Sequence, residues 1–258
     1  MGVTIHPSAI VSPKAKLGED VKIGAFTIIE DDVEVGDGTE IRSSVVLAGG
    51  ARIGAKCRIC AGAVIGTEPQ DLKFQGESTY AYVGENTLVR EYVTINRGTH
   101  ETGESRVGAN CMIMAYCHVA HDCQVGDNVI MSNVTQLGGH VTIKDWVVLG
   151  GVVKVHQFCK IGAHAMIGAD CKIVKDVPPF TLIGRMPPQV EGVNKVGLRR
   201  RGFSMEAIQE IEKFYDTILF SGLNNKDGIE EIRRRGNIIP EVQQCIDFIE
   251  SSTRGIHR

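Results

Sequence analysis

The chain has 258 residues, of which 43% are hydrophobic and 23% are charged, and its formal net charge is −3. This balance is typical of a globular protein and excludes one whose main partner is nucleic acid, because such proteins carry a marked basic excess. The sequence shows neither an N-terminal signal peptide nor an apolar run long enough to cross a membrane, so we expect a cytoplasmic protein without a transmembrane segment.

An aliphatic residue recurs at every sixth position through the first two thirds of the chain. The register from Ile5 to Ile173 contains 29 positions, and only Asp71, Glu77 and Glu101 are not aliphatic. The residue that follows is often Gly, and a small or β-branched residue usually stands four positions after the aliphatic. A period of six is neither the helical 3.6 nor the simple alternation of a strand. It predicts a repeat architecture of short strands joined by tight turns.

Three successive hexads predict one triangular coil, with the aliphatic side chains inside a narrow prism. Successive coils then stack at the spacing of paired strands, about 4.8 Å, and Gly is expected to ease the corners. We therefore expect a mainly β protein, with a parallel β-helix over residues 1–186. The polar segments 67–82 and 97–106 contain all three register failures and are predicted to be loops. Insertions on one face of a repeat protein commonly form its binding site.

The period changes after the two prolines that follow Asp176. A connector with Pro187 and Pro188 leads to Ser204, a good N-cap for an amphipathic helix that is expected to end near Gly222. Two further short helices are predicted at residues 228–235 and 241–251. Residues 187–258 are therefore expected to form a connector and a small C-terminal α-helical domain.

The three-hexad coil allows positions on neighbouring coils to be compared without a structure. His121, Gly139 and Gln157 follow one another at intervals of three hexads and are predicted to stand in one column, with Asp122 next to His140. His is the most frequent general base near neutral pH. A Gly backbone N–H allows close approach of an oxyanion. The column therefore predicts a site for acyl transfer.

Several short motifs resemble those of the UDP-N-acetylglucosamine O-acyltransferases of lipid A biosynthesis, and they run through the whole chain. They are residues 70–73 (QDLK), 118–122 (HVAHD), 139–141 (GHV), 155–158 (VHQF), 176–179 (DVPP), 192–194 (GVN), 200–204 (RRGFS) and 252–255 (STRG). The resemblance implies a left-handed β-helix and a homotrimer with active sites in clefts between subunits. It also implies transfer of a 3-hydroxyacyl group from acyl carrier protein to the glucosamine 3-hydroxyl of UDP-N-acetylglucosamine, without a cofactor or metal.

The resemblance also implies roles for individual residues. His121 would be the general base, Gly139 the oxyanion donor, and Asp122 the group that orients the imidazole. The residues that would bind the sugar nucleotide are Asp71, Lys73, His118, His140, His156, Gln157, Asn194 and Arg200. The basic stretch 199–201 also suits an acidic carrier protein, although a solvated entry to a helix explains it nearly as well.

Two positions depart from the family pattern. Val196 stands where many relatives have Glu, so a uracil contact is expected to be lost or supplied elsewhere. Ala169 stands where several relatives have Gly near the floor of the acyl pocket, and its methyl group is expected to alter the preferred acyl length.

Other functions compete with this interpretation. The acceptor could be a 3-amino UDP-sugar, because the same base serves either nucleophile, or the chain could be another hexapeptide-repeat acyltransferase. The N-acyltransferase of the same pathway has an extra N-terminal domain, whereas the hexads here begin at Ile5. A γ-type carbonic anhydrase needs two zinc ligands at a His-x4-His spacing, which no His pair of the prism has. A purely structural solenoid leaves the His column unexplained.

Overall fold

The computed structural model describes residues 2–258 and shows a triangular prism of short strands. Its 28 strands, numbered β1–β28 in chain order, form three sheets that the chain visits in turn. Sheet A contains Thr4–Ile5 (β1), Lys22–Ile23 (β4), Glu40–Ile41 (β7), Arg58–Ile59 (β10), Leu88–Val89 (β13), Met112–Ile113 (β16), Ile130–Met131 (β19), Val148–Leu149 (β22), Met166–Ile167 (β25), Thr181–Gly184 (β27) and Gln189–Val193 (β28). Sheet B contains Ile10–Val11 (β2), Ile28–Ile29 (β5), Val46–Leu47 (β8), Val64–Thr67 (β11), Thr94–Asn96 (β14), His118–Val119 (β17), Gln136–Leu137 (β20), Lys154–Val155 (β23) and Lys172–Ile173 (β26). Sheet C contains Lys16–Leu17 (β3), Glu34–Val35 (β6), Ala51–Ile53 (β9), Tyr80–Val83 (β12), Glu104–Val107 (β15), Gln124–Val125 (β18), Thr142–Ile143 (β21) and Lys160–Ile161 (β24).

The aliphatic register points into the prism, as predicted. Leu47 and Ile95 of sheet B and Ile59 and Ile113 of sheet A are each 0% exposed. Full burial of such a side chain stabilises the fold by about 1.5–3 kcal/mol. The first coil is the exception, because it has no neighbour on its outer side: Ile5 is 44% exposed, and Val11 and Leu17 are only partly buried.

The corners of the prism are made by a different residue from the one expected. The residue three positions after the aliphatic adopts the left-handed conformation, with φ of 60° at Asp122, 59° at His140 and 64° at Phe158. The Gly directly after the aliphatic serves close stacking instead. A Cβ on Gly24 would lie 2.7 Å from the backbone of Arg42 on the next coil, a distance that no side chain tolerates.

Both insertions leave the prism at the same edge, where sheet B turns into sheet C; we call this edge the B/C corner. The strands that follow them begin earlier than predicted, since Tyr80–Val83 and Glu104–Val107 both pair with neighbouring coils. The loops are therefore residues 68–79 and 97–103, shorter than the predicted segments 67–82 and 97–106.

The strand pairing extends past the prolines at which the aliphatic period stops. β27 adds to β25 in parallel, and β28 returns antiparallel to β27. This hairpin crosses the predicted boundary at residues 186 and 187, because hydrogen bonding continues where hydrophobic periodicity does not. The division into residues 1–186 and 187–258 stays a prediction.

Four helices follow the prism: Lys195–Arg200 (α1), Met205–Tyr215 (α2), Asn225–Arg235 (α3) and Pro240–Glu250 (α4). α2 continues as a π-helical turn over Asp216–Phe220, and the Ser204 side chain caps it by accepting from the Ala207 N–H, as predicted. α1 was not predicted. No helix within residues 2–258 has both the length and the apolar character needed to cross a membrane.

Candidate active site

The predicted column is present at the B/C corner. The His140 N–H donates to the His121 carbonyl, and the Phe158 N–H donates to the Gly139 carbonyl, so these residues lie on three successive coils. The His121 imidazole lies directly over Gly139, where an added Cβ would be 2.6 Å from the ring Cε1 and 2.7 Å from Nε2. Within residues 2–258 the Gly139 N–H donates to no acceptor. A ring nitrogen and a free backbone donor thus stand side by side.

His121 forms a dyad with the next residue. Its Nδ1 lies 2.6 Å from Asp122 Oδ2, and the two side chains are 13% and 0% exposed, respectively. This bond fixes the ring orientation and, with a proton on Nδ1, leaves Nε2 as the basic nitrogen. Adjacent residues can meet in this way because the left-handed turn at Asp122 brings its side chain beside that of His121.

The second loop holds the Asp122 carboxylate in place. Oδ1 accepts from the Thr99 N–H at 2.9 Å, Oδ2 accepts from the Thr99 hydroxyl at 2.9 Å, and the Thr102 hydroxyl also donates to Oδ1. The Asp122 N–H donates to the Ser105 hydroxyl. Burial raises the pKa of Asp122, but the bonds from Thr102, His121 and Thr99 outweigh it and hold that pKa below its usual range. The carboxylate is therefore charged and rigid.

Replacing Asp122 by Asn is expected to weaken both stability and catalysis. The amide accepts fewer of these bonds, so we expect a loss of about 2–3 kcal/mol in the free energy of unfolding and a lower kcat because the imidazole loses its orientation. A carboxyl whose folded pKa is lowered stabilises the protein above its unfolded pKa, and this stability is lost as the pH falls through the folded pKa. The thermal unfolding midpoints of the wild type and Asp122→Asn should therefore differ more at pH 7 than below about pH 4. Equal midpoints at pH 7 would contradict the role of the loop bonds.

Two more predicted histidines border the dyad. The His140 ring packs edge-on against His121 at 5.3 Å and stacks on Phe158 at 4.5 Å. Its Nε2 lies 3.6 Å from Asp122 Oδ2 and 3.5 Å from Glu101 Oε2. His118 Nδ1 lies 2.7 Å from the Thr94 hydroxyl. Burial, followed by the charge of His121, lowers the pKa of His118, which favours its neutral form.

Other predicted residues lie further from the dyad. His156 and Gln157 are exposed on the coil beyond Gly139. Asp71 and Lys73 are in the first loop, where the Lys73 N–H donates to Asp71 Oδ1 at 3.0 Å and the Lys73 side chain is free in solvent. The structure therefore brings His118, His121, Asp122, Gly139 and His140 together, whereas Asp71 and Lys73 lie in the first loop and bond to each other.

His121, Asp122 and His140 each offer an atom within 4.8 Å of the others, a spacing that a metal ion can bridge. Two ligands of tetrahedral zinc, each about 2.1 Å from the ion, lie about 3.4 Å apart. The 2.6 Å from His121 Nδ1 to Asp122 Oδ2 is a hydrogen-bond distance instead. Because the threonines already saturate the carboxylate, these residues fit a dyad better than a metal site. The absence of a metal stays a prediction.

Asn194 and Arg200 lie on another face of the prism. They line a groove of about 690 Å³ with Val196, over the outward side chains of sheet A (Ile130, Val148, Met166 and Leu182). The Asn194 amide is already engaged, because it caps α1 at the Gly197 N–H and donates to the His164 carbonyl. His164 is in a turn from sheet C to sheet A, one prism edge away from His121. Within one chain the groove and the dyad are separate.

Comparison with known proteins shows the family of the chain. Residues 176–257 match a family model described as UDP-N-acetylglucosamine O-acyltransferase, domain 2, and residues 14–49, 32–67 and 104–135 match the bacterial transferase hexapeptide repeat. An acyl-[acyl-carrier-protein]–UDP-N-acetylglucosamine O-acyltransferase of Trichlorobacter lovleyi is 54% identical over 99% of this chain and 100% of its own length. The chain belongs to the UDP-N-acetylglucosamine O-acyltransferase family. The Sulfurihydrogenibium member is also 54% identical, over 98% of this chain and 94% of its own.

Solved members of the family share the fold along the full chain. The crystal structure of LpxA from Bacteroides fragilis, described as a UDP-N-acetylglucosamine acyltransferase, superposes with a TM-score of 0.97 at 43% identity, over 99% of this chain and 100% of that one. The prism is therefore the left-handed parallel β-helix predicted from the motifs, followed by the small helical part. Because the match covers the whole chain, it favours this family over the N-acyltransferase and the carbonic anhydrase.

Sequence reasoning missed Thr99, Thr102 and Glu101, the loop residues that surround Asp122 and His140. In regular coils a residue pairs with the one 18 positions later, but the second loop adds residues to its coil. Thr94 therefore pairs with His118, which is 24 positions later. Subtracting the loop from the count would have placed Thr94 next to His118. Nothing in the hexad pattern specifies the shape of the loop itself.

Proposed function

We infer that the chain catalyses the reaction for which its family is named, acyl transfer from acyl carrier protein to UDP-N-acetylglucosamine, and we propose His121 as its general base. The observation that carries this proposal is the His121–Asp122 dyad, with its imidazole over the free N–H of Gly139. A base beside an oxyanion donor is what transfer from a thioester to a hydroxyl requires.

In the proposed reaction, one proton passes from the sugar hydroxyl to His121 and then to the departing thiolate. The glucosamine 3-hydroxyl oxygen attacks the thioester carbonyl of a 3-hydroxyacyl carrier protein while His121 Nε2 takes the hydroxyl proton. Asp122 stabilises the imidazolium through Nδ1–H, and the Gly139 N–H binds the oxyanion of the tetrahedral intermediate. Collapse breaks the carbon–sulfur bond, and the imidazolium returns the proton to the departing thiolate. No cofactor is needed beyond the carrier that delivers the acyl group.

The sugar is proposed to bind along the same corner. His118 and His140 flank the dyad, Gln157 and His156 continue the column, and the first loop supplies Asp71 and Lys73. Lys73 is solvent-exposed and has no carboxylate within ion-pair distance in residues 2–258, so its ammonium group is available to a ligand.

A cytoplasmic location stays a prediction.

The separation of the groove from the dyad supports a homotrimer with shared sites. Asn194 and Arg200 border sheet A, whereas His121 is at the B/C corner, so the two groups of residues face different sides of one chain. We propose that the groove of one copy faces the B/C corner of the next. Val196, which is 59% exposed in this groove, would then lie near the uracil without offering it a hydrogen bond.

Mixed trimers test this arrangement. His121→Ala and Arg200→Gln chains are each expected to be impaired when assayed alone at low UDP-N-acetylglucosamine. When the two are unfolded together and refolded, some clefts receive His121 from one chain and Arg200 from the other. We expect activity to return in the mixture but not when separately refolded samples are combined. A mixture no more active than its components would place the whole site within one chain.

The reaction itself is tested by a transfer assay. UDP-N-acetylglucosamine and its 3-amino analogue are supplied with 3-hydroxyacyl carrier proteins of several chain lengths, and the product is measured by mass spectrometry. The relatives are O-acyltransferases, so we expect the 3-hydroxyl sugar to be the better acceptor. Faster transfer to the amino sugar would favour the alternative acceptor, and no transfer to either would refute the function.

Ala169 provides a test of the acyl-length hypothesis. It is exposed on the turn that leads from sheet A to sheet B, beside the sheet that forms the floor of the groove. Ala169→Gly is expected to shift the preferred acyl chain towards greater length by removing one methyl group, with a change of roughly 10-fold in the ratio of kcat/KM values. An unchanged preference across the series of acyl carrier proteins would eliminate this hypothesis.

A further inference from the structure

The C-terminal tail, residues 251–258, folds back onto the end of the B/C corner. Asp176 stands three hexads after Phe158 and so continues its column by one coil. Its N–H donates to the Gly255 carbonyl, and its own carbonyl accepts from the His257 N–H. The Ser252 hydroxyl donates to Asp176 Oδ2 at 2.7 Å. Since Asp176 is 1% exposed, the tail is fixed to a rigid part of the prism.

This attachment places Arg254 beside the candidate site. One guanidinium nitrogen lies 3.3 Å from His156 Nδ1, which is itself 3.1 Å from the Gln157 carbonyl oxygen. Because a guanidinium only donates, its bond to Nδ1 requires the His156 proton on Nε2, and in that tautomer Nδ1 cannot also donate to the Gln157 carbonyl. Gln157 stands one coil beyond Gly139, so this guanidinium is within about 10–15 Å of His121 along the column.

The guanidinium has no anionic partner among residues 2–258. Arg254 is exposed, and no carboxylate among residues 2–258 lies within 4.0 Å of it. The nearby Asp176 carboxylate is already used by Ser252 and by the Lys160 N–H. The guanidinium contacts His156 and the Cys159 thiol and keeps further N–H donors. A guanidinium next to a reaction site, on a tail held by backbone pairing, is suited to a phosphate, which it can bind through two parallel hydrogen bonds.

We propose that Arg254 binds a phosphate group of a substrate at the end of the catalytic column. This inference rests on the proposed function, in which both substrates carry phosphate: the diphosphate of the sugar nucleotide and the phosphodiester of the carrier protein's pantetheine arm. In either case the C-terminal tail becomes part of the binding site, and His156 acts as the positioning residue that orients the guanidinium.

Steady-state kinetics of Arg254→Gln and Arg254→Lys test the proposal. For the Gln variant we expect the KM of one substrate to rise about 10-fold or more, as for loss of a charge-assisted hydrogen bond, with kcat within about twofold. The Lys variant should recover part of the loss, because it restores the charge but not the paired donors. Arg58→Gln, which removes an exposed charge from β10 on sheet A, is the matched control and should leave both KM values unchanged.

The two phosphate sources are distinguished by which KM responds. A rise for UDP-N-acetylglucosamine alone assigns the diphosphate. A rise in the KM for acyl carrier protein assigns the phosphate to the pantetheine arm under two conditions. The same rise must occur with acyl-phosphopantetheine, and it must disappear with acyl-pantetheine, which lacks the phosphate. A rise that persists without the phosphate, or unchanged KM values for both substrates in a folded variant, overturns the proposal. If His121→Ala loses kcat while Arg254→Gln has wild-type KM values, the proposed function stands and the Arg254 proposal fails. If the wild-type protein itself shows no acyl transfer, the proposed function is refuted.

Discussion

His121→Ala is expected to lower kcat by about 10³-fold, within the 10²–10⁴ range that a general base supplies. The imidazole is the group that sits over the Gly139 backbone with its Nδ1 bonded to Asp122. Because the base acts in the transition state, kcat and kcat/KM should fall together while KM for the sugar nucleotide changes little.

The control for this variant is His6→Ala, which removes an exposed histidine from the first coil. His6→Ala should keep the wild-type thermal midpoint, whereas His121→Ala loses one bond to the buried Asp122 carboxylate and should lower that midpoint while still folding. A kcat for His121→Ala within tenfold of wild type would refute its role as base, although the fold and the family would be unaffected.

The prism could be predicted because each coil packs only on its two neighbours and repeats the same pattern of buried residues. Every coil must bury one side chain per sheet, so the aliphatic period directly encodes strand positions and even the column of His121 and Gly139. The same count separates Ala169 from His121. The interval between them is eight hexads, which is two coils plus two further hexads and therefore a different edge of the prism.

The elements that were not predicted have no repeating sequence pattern. α1 contains Val196 and Gly197 in only six residues, too few for a helical stripe. The β27–β28 hairpin carries Pro187 and Pro188 in its turn, and proline argues against a strand when the chain is read without a structure. The loop that holds Asp122 is specified by side-chain hydrogen bonds from Thr99 and Thr102, which follow no period.

Gly139→Ala is expected to lower kcat by about 10²-fold with little loss of stability. The backbone at Gly139 does not have a positive φ, so Ala fits the local conformation. Its Cβ, however, would lie 2.6 Å from the His121 ring and must push the imidazole outward. A displacement of about 1 Å at a reacting group costs about 10²-fold in rate, because the base no longer reaches the hydroxyl while Asp122 holds the other nitrogen.

Gly151→Ala is the matched control, because Gly151 occupies the same hexad position at another corner of the prism and its Cβ would meet only the Asn133 carbonyl at 3.6 Å. Because Ala169 stands one coil beyond Gly151, both variants are assayed with the preferred acyl chain, and Gly151→Ala should then keep the wild-type kcat. If Gly139→Ala binds both substrates normally but loses kcat, the ring position limits the chemistry. Equal kcat for the two variants would instead show that His121 moves freely over this glycine, so the close packing of ring and backbone would have no part in catalysis.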